Sequence, residues 1–195
     1  METGTRTPWA TVEAERDAAV RTLRGRVLEL GAGDGANFGL LHPSVDWVGL
    51  EPDRRRRARL AEKARSHGHR AAPLDGGAED IPLPEASVDA VLGTTVLCSV
   101  ADPERVLEEV ARVLRPGGRA LFAEHVAAPA GTATGTVLRL ARPFTRVFDH
   151  GCDPTRDTEA TVRASALEVA GVARYAVPVL GLVIPYVLID ARRPA

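Results

Sequence analysis

The residues with chemistry to offer fall at a few places along the chain. Glu29 precedes three alternate glycines, Gly31, Gly33 and Gly35, in the run Val27–Phe38, which reads Val-Leu-Glu-Leu-Gly-Ala-Gly-Asp-Gly-Ala-Asn-Phe. An apolar strand feeding such glycines lets the backbone turn sharply and a ligand come close. A helix starting after the turn would aim its first N–H groups at that ligand. Glu51 lies 20 residues past Gly31, the distance at which nucleotide-binding sheets place an acid on a ribose diol. The plainer alternative for Glu51 is a surface acid paired with an arginine. His125 can move a proton near neutral pH, or simply be a satisfied rim histidine. Asp149, His150 and Cys152 sit together further on, with Arg156 close behind. They are either reactive groups on a segment over a cleft or a turn in which the cysteine packs and the aspartate caps.

The glycines alone do not choose the ligand. Gly31-x-Gly33-x-x-Ala36 also satisfies the dinucleotide fingerprint. Glu29 argues against a pyrophosphate, because a carboxylate facing it in a partly desolvated cleft repels it. S-adenosylmethionine (SAM) has a cationic amino group and a sulfonium, and no phosphate. The pattern Glu29-x-Gly31-x-Gly33-x-Gly35 resembles motif I of the class I SAM-dependent methyltransferases. Arg54–Arg57 could meet the 2′-phosphate of NADP, but Glu51 would repel that group, and an arginine run on a helix reads first as a solvated face. Gly76-Gly77-Ala78-Glu79-Asp80-Ile81-Pro82 resembles the loop that follows the third strand in this family, with Gly77 where an Asp usually approaches the adenine amino group. The resemblance leaves that contact to backbone at Ala78 or to the Glu79 side chain. Thr94 and Thr95 fall where the family places residues beside the methionine moiety, and Asp102–Gly118, ending Leu-Arg-Pro-Gly-Gly, is also similar. The resemblance covers about Arg26 to His125. It implies cofactor contacts at Glu29, Gly31, Ala32, Gly33, Asn37, Glu51, Pro52, Ala78, Glu79 and Thr94.

A narrower resemblance rests on Gly35-Ala36-Asn37-Phe38, Val96-Leu97-Cys98-Ser99-Val100, Glu124-His125-Val126-Ala127-Ala128, and Phe148-Asp149-His150-Gly151-Cys152 with Thr155-Arg156-Asp157-Thr158. These segments resemble the membrane-associated alkyl-thiol S-methyltransferases and their bacterial relatives. The chain departs from that group in lacking its N-terminal hydrophobic leader and in carrying His150 between Asp149 and Gly151. The resemblance implies a thiol acceptor and points to His125, Asp149 and His150 as catalytic candidates. A thiol with a pKa of about 8.5 needs modest help to ionise, and one imidazole or a nearby cation supplies it. Arg156 reads first as an ion-pair partner, and Cys98 as a small buried apolar side chain.

These residues need a scaffold. The 195 residues suit one domain, 45% hydrophobic and 26% charged, with a net charge of −1, which gives no global pull toward nucleic acid or membrane. Aromatic residues make up 4%, too few for a stacking groove for single strands. Two cysteines, Cys98 and Cys152, exclude a disulfide scaffold and are too few for a zinc site built on thiolates alone, so no metal is expected. Met1–Ala10 has no apolar core, and the apolar run Ala176–Ile189 is interrupted by Pro178, Gly181 and Pro185. It also falls short of the roughly 20 residues of a membrane span. The expectation is a cytoplasmic protein with no membrane or nucleic-acid partner.

Periodicity predicts helices over Thr11–Arg24, Ala36–Leu41, from Asp53 to about Ser66, after Asp102-Pro103, over Val137–Phe148 with a break at Pro143, and over Thr158–Ala170. It predicts strands over Arg26–Leu30, Asp46–Leu50, His69–Pro73, Val88–Gly93, Arg119–Ala123, Val172–Val179 and Tyr186–Asp190, with Asp75–Ser87 as loop. The expected fold is α/β, a doubly wound Rossmann-like seven-stranded mixed sheet with the last strand antiparallel. It forms one methyltransferase domain, 1–195, with residues 1–24 as a helical cover and 127–158 as a second cover over the cleft. So thin a lid suits a small acceptor. The function expected is methyl transfer from SAM to a small molecule, preferably a thiol, by in-line displacement. The alternatives are O- or N-methylation of a natural product, a SAM-binding module without activity, or an NAD(P)-dependent oxidoreductase. Glu29 opposes the last, as does the lack of a tyrosine–lysine hydride-site pair.

Overall fold

The computed structural model describes residues 6–148 and 151–195. In chain order the elements are α1 (Trp9–Val20), β1 (Arg26–Leu30), β2 (Asp46–Leu50), α2 (Arg54–Ser66), β3 (Val88–Thr94), α3 (Pro103–Val113), β4 (Leu114–His125), α4 (Ala133–Phe148), α5 (Thr158–Ala164), β5 (Glu168–Val179) and β6 (Leu182–Arg192). The sheet order is β2-β1-β3-β4-β6-β5. β1 pairs in parallel with β2 on one side and β3 on the other, and β6 runs antiparallel to both β4 and β5. The chain order therefore reverses at β1, and the carboxyl ends of β1 and β3 open the crevice where such sheets take ligands.

The pleat of β1 sorts its side chains. Leu28 and Leu30 join the apolar layer that includes Val106, Leu107, Val110 and Val113 of α3, all at most 1% exposed. Val27 packs in the opposite layer with Trp47, Phe38 and Leu60, so Glu29, two residues on, points into that layer as well. Asp53 and Asp102 cap the helices as expected, accepting from Arg56 N at 2.7 Å and Arg105 N at 3.0 Å.

Three expected elements take another form. Gly35 to Leu41 is a succession of turns and not a helix, because Gly35 and Gly39 both fall in the few residues before Pro43, too short a span to nucleate one. His69–Pro73 is not a strand. It has no β-branched residue, Pro73 has no N–H to give, and only Leu74 bridges to Leu50. Among the described residues the sheet therefore has six strands and not seven. The final helix stops at Ala164, where Ser165 N and Oγ both bond Val162 O. The next residues are claimed by β5, whose pairing with β6 begins at Glu168↔Arg192.

α1 packs against the sheet. Val12 packs with Ala123, Tyr175, Val177 and Tyr186, and Tyr175 donates its hydroxyl to Glu15 at 2.7 Å. α4 presents Val137, Leu140 and Phe144 to solvent. Among the described residues, no helix is long and apolar enough to cross a membrane.

Loop 75–87 is tethered to α3 by Glu109, whose side chain is 3% exposed. Its carboxylate accepts from Ile81 N at 2.9 Å, from Arg112 at 2.9 and 2.6 Å, and from Arg105 at 3.1 Å. Arg112 holds this carboxyl below its usual range. A folded pKa below the unfolded one contributes stability above pH 4.5 that is lost as pH falls through the folded pKa. Glu109→Ala is expected to cost about 2 kcal/mol at pH 7, the arginines being partly exposed. In urea unfolding the deficit should shrink on acidification below 4.5; an equal deficit at low pH would remove the ion pair from the account.

Candidate active site

One cavity of about 620 Å³ opens at the carboxyl ends of β1, β2, β3 and β4. The glycine loop forms its floor. Gly31, Gly33 and Gly35 all hold left-handed backbone, φ +53°, +55° and +67°, and a Cβ on Gly35 would collide with the Phe38 ring. The turn therefore requires glycine for both conformation and space.

Glu51 is 3% exposed and lines the cavity. Its Oε2 accepts from Gly33 N at 2.9 Å and its Oε1 from Asp53 N at 3.0 Å. A carboxylate has about four acceptor positions, so two N–H groups fix this one while leaving capacity toward the cavity. Pro52, Ala78, Glu79, Thr94 and Gly31 line the same space. Gly77 leaves room that Glu79 fills, since Glu79 Oε2 stands 3.0 Å from where a Gly77 Cβ would be. Glu79 Oε1 accepts from Ala101 N at 2.9 Å, tying the 75–87 loop to the start of α3.

Glu29 is not in the cavity wall. It is 1% exposed, and its two oxygens accept from Asn37 Nδ2 and Trp47 Nε1, each at 2.7 Å. Burial raises its pKa. It braces the glycine loop from beneath, so its charge does not select between a phosphate and a sulfonium. Asn37 and Ala32 act with it, Asn37 through Glu29 and a 3.4 Å contact to Thr94 Oγ1, Ala32 by donating its N–H to Leu50 O at 3.0 Å. Gly33 contributes through Glu51. The arginine run divides: Arg57 bonds Glu51 O at 2.7 Å and pairs with Asp75 at 2.7 Å, whereas Arg56 reaches over Gly33 and lines the cavity.

Cys98, Ser99, His125 and Cys152 line the same cavity. The β4 pleat sends Glu124 and His125 to opposite sides. His125 meets Tyr186 edge-on, ring centroids 5.3 Å apart, and Tyr186 meets Trp9 at 5.4 Å. Glu124 is fully buried under the turn after β3 and accepts from Val96 N at 2.8 Å, Leu97 N at 3.1 Å and Cys98 N at 3.4 Å. Burial pushes its pKa well up. Sequence reasoning assigned Glu124 no role; an acid at the end of an otherwise apolar strand was the only signal. Thr95, in the same turn, holds φ +54°, a conformation unfavourable for a β-branched residue and typical of functional turns. Glu124→Ala leaves three buried N–H groups without their acceptor. The expected loss is about 3 kcal/mol, read as a lower urea midpoint; an unchanged midpoint would show that the turn holds itself.

Cys152 arrives on a strap. Gly151 approaches so closely that a Cβ would stand 2.8 Å from Ser99 O. Asp153 N bonds Cys98 O, and Arg156 Nη1 bonds Leu97 O, both at 2.8 Å. Arg156 thus holds backbone, whereas Asp153 takes the ion pair, with Arg142 of α4 at 2.8 Å. The thiols of Cys98 and Cys152 are 3.7 Å apart. The bond from Cys152, together with burial, pushes the Cys98 thiol up to about 12, so with no cation beside it Cys98 is a neutral thiol. Asp149 and His150 lie outside the described residues.

This fold is that of the class I methyltransferases. It superposes on the cyclase SpnF with a TM-score of 0.75 at 19% identity, covering 100% of this chain and 85% of that one. On a geranyl diphosphate methyltransferase solved with SAM the score is 0.73 at 18% identity, with 94% and 84% covered. The sequence comparison adds a particular match: residues 28–122 of this chain match the methyltransferase domain. Among curated proteins it is similar to the thiol S-methyltransferase TMT1B of Homo sapiens, 37% identical over 135 residues, 68% of this chain and 55% of that protein. It is 36% identical to human TMT1A over 143 residues, 71% and 59%. It is 32% identical to a phosphatidylethanolamine N-methyltransferase of Cereibacter sphaeroides over 129 residues, 64% and 63%. The chain thus spans little more than half the length of its human relatives.

Proposed function

We propose that this chain is a SAM-dependent methyltransferase whose acceptor is a small thiol. One observation supports the reading: Glu51 and the group Cys98, His125 and Cys152 line one and the same cavity. A nucleoside held by Glu51 would extend its reactive end along Thr94 and Thr95 toward that group.

The residues present fit the cofactor. The free acceptor positions of Glu51 suit the two ribose hydroxyls. Glu79 Oε2, folded over Gly77, stands in for the acid that the family places near the adenine amino group. When bound, SAM supplies an electrophilic methyl on a sulfonium whose departure leaves a neutral thioether. The protein's share is then to position the acceptor and keep it ionised. Glu124 fixes the 96–98 turn, and with it one side of the acceptor wall. His125 stands in that wall as the group that helps the thiol ionise. The similarity to thiol S-methyltransferases at 36–37% identity supports the choice of acceptor. The Cereibacter relative supports an amine as the second reading. The compartment we assign is the cytoplasm, where a neighbouring pair of thiols stays unjoined.

The deciding experiment supplies methyl-labelled SAM with a panel of small thiols, phenols and amines. Label should pass to thiols first. Transfer to amines alone would replace the thiol reading, and no transfer to any acceptor would leave a binding module.

A further inference from the structure

We infer that Cys98, Cys152 and His125 form a three-ligand site for zinc(II), with its fourth coordination position open to the cavity. One ligand atom from each of the three lies within 4.8 Å of the others. Zinc–sulfur bonds of about 2.3 Å at a tetrahedral angle place two thiolates about 3.8 Å apart; the two sulfurs stand at 3.7 Å. A disulfide would need about 2.0 Å, so the two sulfurs are in contact without a bond, at a spacing that shared coordination accepts. Counting thiolates in the sequence excluded a thiolate-only site, but a Cys2His site needs only two.

The ligands come from three separate segments, and each is fixed independently of any ion. Glu124 accepts the N–H groups of residues 96–98. The strap bonds Asp153 N to Cys98 O and Arg156 to Leu97 O. His125 ends β4, register-paired with Tyr186. Ser99 Oγ lies 3.5 Å from Cys98 Sγ, a hydroxyl able to donate to that sulfur as a thiolate and so complete an outer shell. All three ligands line the cavity. Three protein ligands with an open place facing a cleft is the arrangement of a catalytic zinc, whereas a structural zinc is closed by four.

The open position is where an acceptor thiol would bind as thiolate, its proton leaving to water. This second half rests on the proposed function. It changes the part His125 plays: the ring holds the cation, and the cation ionises the thiol.

The test uses the whole chain, reduced with a phosphine and freed of metal by chelation, then titrated with cobalt(II). One cobalt per chain is expected, with a thiolate-to-cobalt charge-transfer band in the near ultraviolet and tetrahedral bands in the visible, all displaced by zinc. Cys98→Ser and Cys152→Ser should each lose the charge-transfer intensity or weaken binding by at least about a hundredfold, with circular dichroism showing that they remain folded. Adding a small thiol to the cobalt form should shift the visible bands. A spectrum equal to cobalt in buffer, or a band that survives in both serine variants, overturns the site. So does a Cys98–Cys152 disulfide formed in air by a chain whose reduced form takes no cobalt. Bands indifferent to added thiol overturn only the acceptor half. The spectrum is read without SAM, so failure of methyl transfer leaves it standing, and failure of the spectrum leaves methyl transfer standing.

Discussion

Glu51→Ala should bind S-adenosylhomocysteine ten- to a hundredfold more weakly than the parent chain. The side chain is 3% exposed and sits at the end of β2 with one N–H on each oxygen, from Gly33 and Asp53. Hydrogen bonds from ribose hydroxyls to an ionised carboxylate contribute about 1.5–3 kcal/mol, which is the affinity change just given. Removing the side chain also frees the Gly33 N–H and loosens the glycine loop, so the loss should sit toward the larger figure. Glu51→Gln keeps an acceptor oxygen without the charge and should fall between. Calorimetry on the three proteins reads the series directly. Equal affinity in all three would take Glu51 out of the ligand site and return it to a structural brace.

His125→Ala should lower kcat by about a hundredfold while leaving S-adenosylhomocysteine affinity near the parent value. The ring lines the cavity close to Cys98 and Cys152, the group proposed to face the acceptor. A group that acts on the acceptor alone moves turnover and not cofactor binding. Single-turnover methyl transfer separates the two quantities. A variant that turns over at the parent rate from pH 6 to 9 would leave His125 a packing role, such as its edge-on contact with Tyr186.

The elements that announced themselves in the sequence did so for local reasons. β1 and β2 appear with the expected bounds because each is a short apolar run closed by a turn. α2 and α3 start at their capping aspartates, Asp53 and Asp102. The failures came where a distant partner decides. Residues 168–170 read as helix until β6 claims them, and residues 69–73 read as a strand although no neighbour pairs with them. Glu29 shows the subtler error. Its position in the motif is as the pattern implies, but the period-two pleat of β1 turns the side chain under the loop, toward Trp47 and Asn37. Glu51 and Thr94 stood out as cavity residues because they mark the ends of β2 and β3. The pairing of the two cysteines did not. Cys98 and Cys152 are 54 residues apart, and the strap brings them together through the close approach of Gly151 to Ser99 and its bonds to Leu97 and Cys98. Glu124 lay in view but had no pattern to mark it.

With Glu29 hidden and Arg56 in the cavity wall, the choice between a sulfonium ligand and a phosphate rests on Glu51. The most direct measurement is therefore a pair of calorimetric titrations of the same protein, one with S-adenosylhomocysteine and one with NADPH. Saturable one-to-one binding of the thioether nucleoside, and none of the phosphorylated dinucleotide, is the predicted result. Binding of NADPH with no response to S-adenosylhomocysteine would contradict it.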